Sequence, residues 1–299
     1  MRYTGMADAS AAVPISSNLF VAADDESNTL RLYSADHGGP PLKEFDFNTF
    51  LEVRGKSPEA DLEAAARLGD RAFWLGSHGR NRNAKERDNR CRLFATDIRF
   101  NGNDLSLVPV GRPYTHLLDD LLNDPRFARF DLARAQLHAP KEADALNLEG
   151  LAATPDGHLL LGFRNPIPDR RALLIPLLNP NEVIDGRTAS LGPAIQLDLG
   201  GLGIRDLAFC QGVYLIIAGP YHSGGPFHLY RWAGQGTVPE RIKTKHFGTL
   251  TPEALIIYPQ TGLSEFQLLS DDGTRETHGT PNRELPMPRR SFRSVWVRP

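Results

Sequence analysis

The feature that most restricts the fold of this chain is a recurring pattern of an acidic residue, an apolar run, a turn, a second apolar run and a closing glycine. It occurs in DLEAAARLGDRAFWLGSHGRN, LNLEGLAATPDGHLLLGFRNP and GIRDLAFCQGVYLIIAGPYHS. Acid and glycine stand thirteen residues apart each time, in Glu63 to Gly76, Glu149 to Gly162 and Asp206 to Gly219. Two apolar runs about Gly-Asp, Pro-Asp-Gly or Gln-Gly turns read as β-hairpins. A fourth copy, TPEALIIYPQTGLSEFQLLSDDG, starts from Glu253, has four extra residues in its turn and ends on Ser270. A fifth, SAAVPISSNLFVAADDES, has Ser10 where the acid stood and Ala23 in place of the glycine.

Further strand-like text follows each hairpin: TLRLYS and PLKEFDF, RLFATDI and LSLVPV, ALLIPL and AIQLDL, FHLYRW and RIKTKHF. Four short strands in a repeat of roughly 40 to 50 residues describe a propeller blade, which cannot bury both faces alone. The chain is therefore predicted to be all-β, a five-bladed β-propeller in one domain spanning 1–299. The blades fall at about 7–47, 60–111, 147–199, 203–248 and 250–299. The last unit carries three strands, ending in FRSVWVRP, so residues 1–6, with MRYTG, are predicted to add the fourth strand and close the ring. Closure removes two exposed sheet edges. Residues 113–140, PYTHLLDDLLNDPRFARFDLARAQLHAP, place leucines at helical spacing and are read as a short helical insertion between blades two and three.

Composition excludes several function classes. The 34 basic and 36 acidic residues give a net charge of -2, with no global attraction for nucleic acid or an anionic membrane. Cys91 and Cys210 are the only cysteines, too few for a disulfide framework and without metal-site spacing. The N-terminal text lacks the apolar segment of a signal peptide and no window reaches the ~20 apolar residues of a spanning helix, so a cytoplasmic location is expected. No Gly-x-Ser-x-Gly or His-Glu-x-x-His motif is present, and GGLGIRD precedes a strand where a dinucleotide fingerprint would precede a helix. The run GRNRNAKERDNRCR, residues 79–92, has phosphate-binding character, but its mixed signs suit a solvated hairpin loop.

In a propeller the first strand of every blade lies innermost and all run the same way, so equivalent positions form a ring around the axis. Glu63, Glu149, Asp206 and Glu253, with Ser10, are predicted to line one channel mouth. The second strand runs back, returning to that mouth His78 and Arg80, Arg164 and Asn165, Tyr221 and His222, Asp271 and Asp272, and Asp24 and Asp25. Two carboxylates about 6 Å apart repel by roughly 3 kcal/mol at an effective dielectric of 20, so such a ring needs compensation. A hard divalent cation (Ca²⁺ or Mg²⁺), an arginine such as Arg164 or Arg205, or a retained proton would serve. A purely structural role competes, in which the acids accept hydrogen bonds from the backbone of the next blade.

The segments NLEGLAATPDG, GIRDLA and WLGSHGRN resemble a bacterial propeller family known only as a domain of unknown function, over nearly the whole chain. That family is similar to propellers of phytase-like or esterase-like type, and more distantly to the gluconolactonase type, whose Glu-Gly motif includes a metal ligand. The last resemblance puts Glu149 forward as a ligand.

The functional expectation is a divalent-cation-assisted hydrolase of a phosphorylated or ester-type small molecule. Glu63, Glu149, Asp206 and Glu253 would hold the cation; Arg80, Arg164, Asn165 and Tyr221 would bind the substrate; His78, His222 and Glu149 would be catalytic. The alternative is a non-catalytic propeller that docks a partner protein or ligand through its loops or its insertion.

Overall fold

The computed structural model describes residues 1–102, 104–243 and 247–299. Alternating buried strands assemble, among the described residues, into five four-stranded antiparallel sheets arranged as the blades of a propeller. Blade one runs Ala11–Pro14, Leu19–Ala23, Thr29–Ser34, Lys43–Asp46. Blade two runs Leu62–Leu68, Arg71–Gly76, Leu93–Asn101, Asp104–Tyr114. Blade three is Asn147–Ala153, Leu159–Asn165, Ala172–Leu177, Ile195–Leu197, and blade four is Gly203–Cys210, Val213–Gly219, His228–Trp232, Glu240–Ile242. Part of RIKTKHF, residues 244–246, lies outside the described residues.

Blade five comprises Pro252–Ile256, Phe266–Ser270, Ser291–Val297 and, as its outermost strand, Arg2–Thr4. The N-terminal strand pairs Arg2 with Arg293, Tyr3 with Phe292 and Thr4 with Ser291, closing the ring as the sequence predicts. Tyr3 also stacks on Phe292 and meets Phe20 and Tyr33 of blade one edge-on, all with centroids 5.0–5.3 Å away. Closure is thus a packed aromatic seam as well as a ladder of hydrogen bonds.

Each blade buries its faces against its neighbours. Among the described residues five hydrophobic clusters lie one per blade–blade interface, for instance Leu62 and Trp74 of blade two with Val21 and Leu32 of blade one. The insertion forms helices at Leu117–Asn123 and Leu132–Ala135 with a 3₁₀ segment at Pro125–Phe130 between them. Its apolar side chains, Leu117, Leu121, Phe127 and Phe130, are buried in the cluster shared by blades two and three. Among the described residues no helix is long and apolar enough to cross a membrane.

A candidate active site at the channel mouth

The inner strands of blades two to five carry a register irregularity near the mouth. The extra residue is Glu63 in blade two, Glu149 in blade three, Arg205 in blade four and Glu253 in blade five. A bulge residue is released from the ladder and re-aimed, and all four line one cavity of about 870 Å³. In blade four the bulge falls one residue before the predicted acid, and a one-residue offset turns a side chain to the opposite face. Asp206 accordingly leaves the cavity, correcting its expected place in the ring. Its carboxylate accepts hydrogen bonds from its neighbour Leu207 N and from Leu255 N of blade five, both at 2.7 Å, the inter-blade tie of the structural alternative. Burial still raises its pKa well above the usual range, against those two amides. Ser10 likewise ties blades, donating to Leu62 O at 2.6 Å.

Glu149 is buried and compensated. It accepts from Arg164 Nη1, from Asn147 Nδ2 at 2.9 Å, and pairs with Arg205 Nε at 2.9 Å. Arg205 continues to Glu253, so a chain Arg164–Glu149–Arg205–Glu253 lines the side of the mouth formed by blades three to five. Both hydrogen bonds fall on Oε1, and the charge of Glu149 is balanced by the Arg164 and Arg205 guanidiniums.

The opposite side differs. Asp25, at the return end of blade one, meets Asp61 and Glu63 of blade two, with one oxygen of each mutually within 4.8 Å. Asp61 pairs with Arg90 at 2.8 Å. Glu63 accepts no hydrogen bond among the described residues, and Asp25 Oδ1 is buried without a donor. Burial, reinforced by Glu149, Asp61 and Asp25, pushes Glu63 well above the usual carboxylate range; burial and then Asp61 and Asp271 do the same to Asp25. The geometry of this cluster suits a hard cation with oxygen ligands.

The paired aspartates of blades one and five divide their work. Asp24 pairs with Arg31 at 3.2 Å and Asp272 with Arg293 at 2.6 Å, the arginines coming from the third strands. Their neighbours Asp25 and Asp271 line the cavity. Behind Asp271 lies the buried Asp8, whose pKa is raised well above the usual range by burial and by Asp271. Asp271 stays below that range: burial opposes its ionisation, but the neighbouring Asp8, the Gly273 amide at 2.8 Å and the Arg283 and Arg205 guanidiniums outweigh it. A Cβ on Gly273 would lie 2.2 Å from Asp8 Oδ1, so a larger residue there would displace the Asp8 carboxylate.

Several expected site residues sit elsewhere. His78 is buried, with Nδ1 2.8 Å from Gly76 O and Nε2 without a partner, and burial lowers its pKa to about 4. It is neutral and does not line the cavity. His222 is exposed, its ring edge-on to Tyr221, and neither reaches the cavity lining. Arg80 donates to Gln136 O and Ala84 O, and Asn165 to Pro140 O and Glu142 O. Arg164 does line the cavity. Asp61, Arg90, Lys141 and Arg283 are cavity residues that the repeat did not single out. The signal for Asp61 was its position two residues before the motif acid, in DLEAA.

The family described as "Protein of unknown function (DUF3616)" matches residues 8–110 and 108–258. No curated protein matches the chain. Among solved structures, a GH43 β-1,3-galactosidase with galactodeoxynojirimycin is similar at 8% identity, covering 98% of this chain and 90% of that one, with a TM-score of 0.52. Glutaminyl cyclase of Myxococcus xanthus is similar at 14% identity, covering 90% and 88%, with a TM-score of 0.49. At such identities the likeness concerns the fold alone.

Proposed function

This chain belongs to the DUF3616 family of proteins of unknown function, and from that premise we propose that its channel mouth is the active site of a divalent-cation-assisted hydrolase acting on a small phosphorylated or ester-type molecule. The observation that carries this reading is the imbalance at Asp25, Asp61 and Glu63, three carboxylates within coordinating reach of one another with Arg90 as their one directly paired arginine among the described residues. A Ca²⁺ or Mg²⁺ ion held there would lower the pKa of a bound water and polarise the ester oxygen.

The protein's own groups take the remaining roles. Arg90 fixes the orientation of Asp61, leaving Asp25 and Glu63 as the free ligands. Asp271, whose pKa lies below the usual range, is the cavity carboxylate that stays ionised and would orient the attacking water. Arg283, which lines the cavity and has no ion-pair partner among the described residues, supplies positive potential there, toward which an anionic substrate group would be drawn. The resemblance of the repeat motifs to phytase-like and esterase-like propellers accords with this substrate class.

The test is metal analysis of protein purified without chelator, with calorimetric titration of Mg²⁺ and Ca²⁺ into wild type and Glu63→Gln, followed by a screen of phosphate and carboxylate esters. Cation binding lost in the variant and cation-dependent turnover are expected. Absence of both would sink the proposal and favour a propeller that docks a partner without catalysis.

A further inference from the structure

The insertion leads into a short segment, residues 139–142, that blade three grips on both sides of one lysine. Arg164 Nη2 donates to Pro140 O at 2.8 Å; Asn165 Nδ2 donates to Pro140 O at 3.0 Å and to Glu142 O at 2.8 Å. Both gripping side chains are buried at the end of the second strand of blade three. Lys141, between the two held carbonyls, lines the cavity. Its Nζ donates to Ser223 Oγ at 2.8 Å, from the loop that follows the second strand of blade four, and it has no carboxylate within ion-pair distance among the described residues.

Lys141 stands in a field of its own sign. The residue is exposed, but partial desolvation and then the Arg164 guanidinium lower its pKa, Asp271 opposes them, and Arg283 and Arg205 add to the lowering. Arg283 comes from the excursion between the second and third strands of blade five, lines the same cavity and forms no ion pair within 4 Å among the described residues. Arg164 and Arg205 are matched by Glu149 and Glu253. Lys141, like Arg283, has no carboxylate within ion-pair distance among the described residues, and it is the cavity cation whose neighbouring carbonyls, Pro140 O and Glu142 O, are held by three hydrogen bonds. An ammonium presented from a held backbone segment into the cavity, with no carboxylate partner, suits an oxyanion.

We propose that Lys141 is the residue that binds the oxyanion group of the substrate, and that Arg164 and Asn165, through Pro140 and Glu142, are the positioning residues that present it. The sequence-level assignment of Arg164 and Asn165 as substrate contacts thereby becomes an assignment to the segment they hold. The inference rests on the reading of the channel mouth as an active site.

Inorganic phosphate is the probe, titrated at low ionic strength into wild type, Lys141→Ala, Lys141→Arg and Asn165→Ala, with acetate in parallel to separate a phosphate preference from a carboxylate one. Lys141→Ala is expected to weaken binding of the preferred anion at least about tenfold, the worth of one charge-assisted hydrogen bond. Lys141→Arg restores most of it. Asn165→Ala, which keeps the lysine, is expected to weaken binding by a smaller factor and to speed amide exchange in residues 139–142. Mg²⁺ affinity stays at the wild-type level in Lys141→Ala and falls in Glu63→Gln. Undiminished anion affinity in Lys141→Ala overturns the inference even where cation binding holds, whereas loss of cation binding by wild type removes the reading beneath it.

Discussion

On the side of the mouth built by blades three, four and five, the bulge residues alternate in sign, and Arg164, Glu149, Arg205 and Glu253 neutralise one another in a buried chain. On the side built by blades one and two, Asp25, Asp61 and Glu63 converge with Arg90 as their directly paired cation. Both sides lie at the same end of the channel, and the inner-strand irregularity that presents Glu149, Arg205 and Glu253 on one side presents Glu63 on the other. What separates them is bookkeeping of charge: the matched side is a fastening between blades, and the unmatched side has a capacity for positive charge that folding alone does not fill. A carboxylate in the ring is informative only together with its partners.

The largest expected effect strikes the matched side. Glu149→Ala leaves Arg164 and Arg205 buried without their shared counter-ion, and should destabilise the protein by about 3–5 kcal/mol in urea unfolding at neutral pH. Glu63→Gln should do the reverse in chelated buffer, raising stability, because it removes a half-buried carboxylate that stands beside Asp25 and Asp61. Equal losses in the two variants would erase the distinction drawn above.

Acid titration sharpens the contrast. His78, buried behind the blade-two hairpin, has its pKa lowered from 6.5 to about 4. Its contribution is therefore intact above the unfolded pKa and is lost as pH falls from about 6.5 to about 4, a loss approaching 3 kcal/mol. Asp25 and Glu63 have raised values, so their contribution runs the other way: it is present below the usual carboxylate range and is lost as pH rises through the folded pKa. His78→Asn, which tolerates the left-handed backbone at φ 56°, should flatten the acid limb without altering the neutral one. A divalent cation at 100 times its Kd should add about 2.7 kcal/mol at neutral pH, and nothing in Glu63→Gln.

The fold was legible because its signals are local. Hairpin grammar, turn residues and a repeat period are written in contiguous text, and the need for a twentieth strand followed from counting three in the last unit. The ring of carboxylates was legible at Glu63, Glu149 and Glu253 for the same reason. The partners were not. Arg90 reaches Asp61 from a loop 29 residues away, and Lys141 arrives from the segment into which the insertion leads, which no repeat encodes. His78 reads like a mouth residue, but the strand end turns it inward, where its ring meets Gly76 O. Such choices are made by tertiary packing, which spacing within a hairpin does not record.

Asp206 gives the smallest and most selective test. The thirteen-residue spacing placed it with the motif acids, yet the irregularity in blade four falls between Ile204 and Asp206 and gives the cavity position to Arg205. The aspartate is left to accept one amide from its own strand and one from blade five. An asparagine there keeps one good acceptor and exchanges the other for an amide donor facing a donor, so Asp206→Asn should reduce stability by about 1–2 kcal/mol. Since Asp206 faces away from the cavity, that loss should come with no change in affinity for Mg²⁺ or Ca²⁺ measured by calorimetry. A weakened cation affinity would return Asp206 to the ring and dissolve the boundary between the matched and unmatched sides.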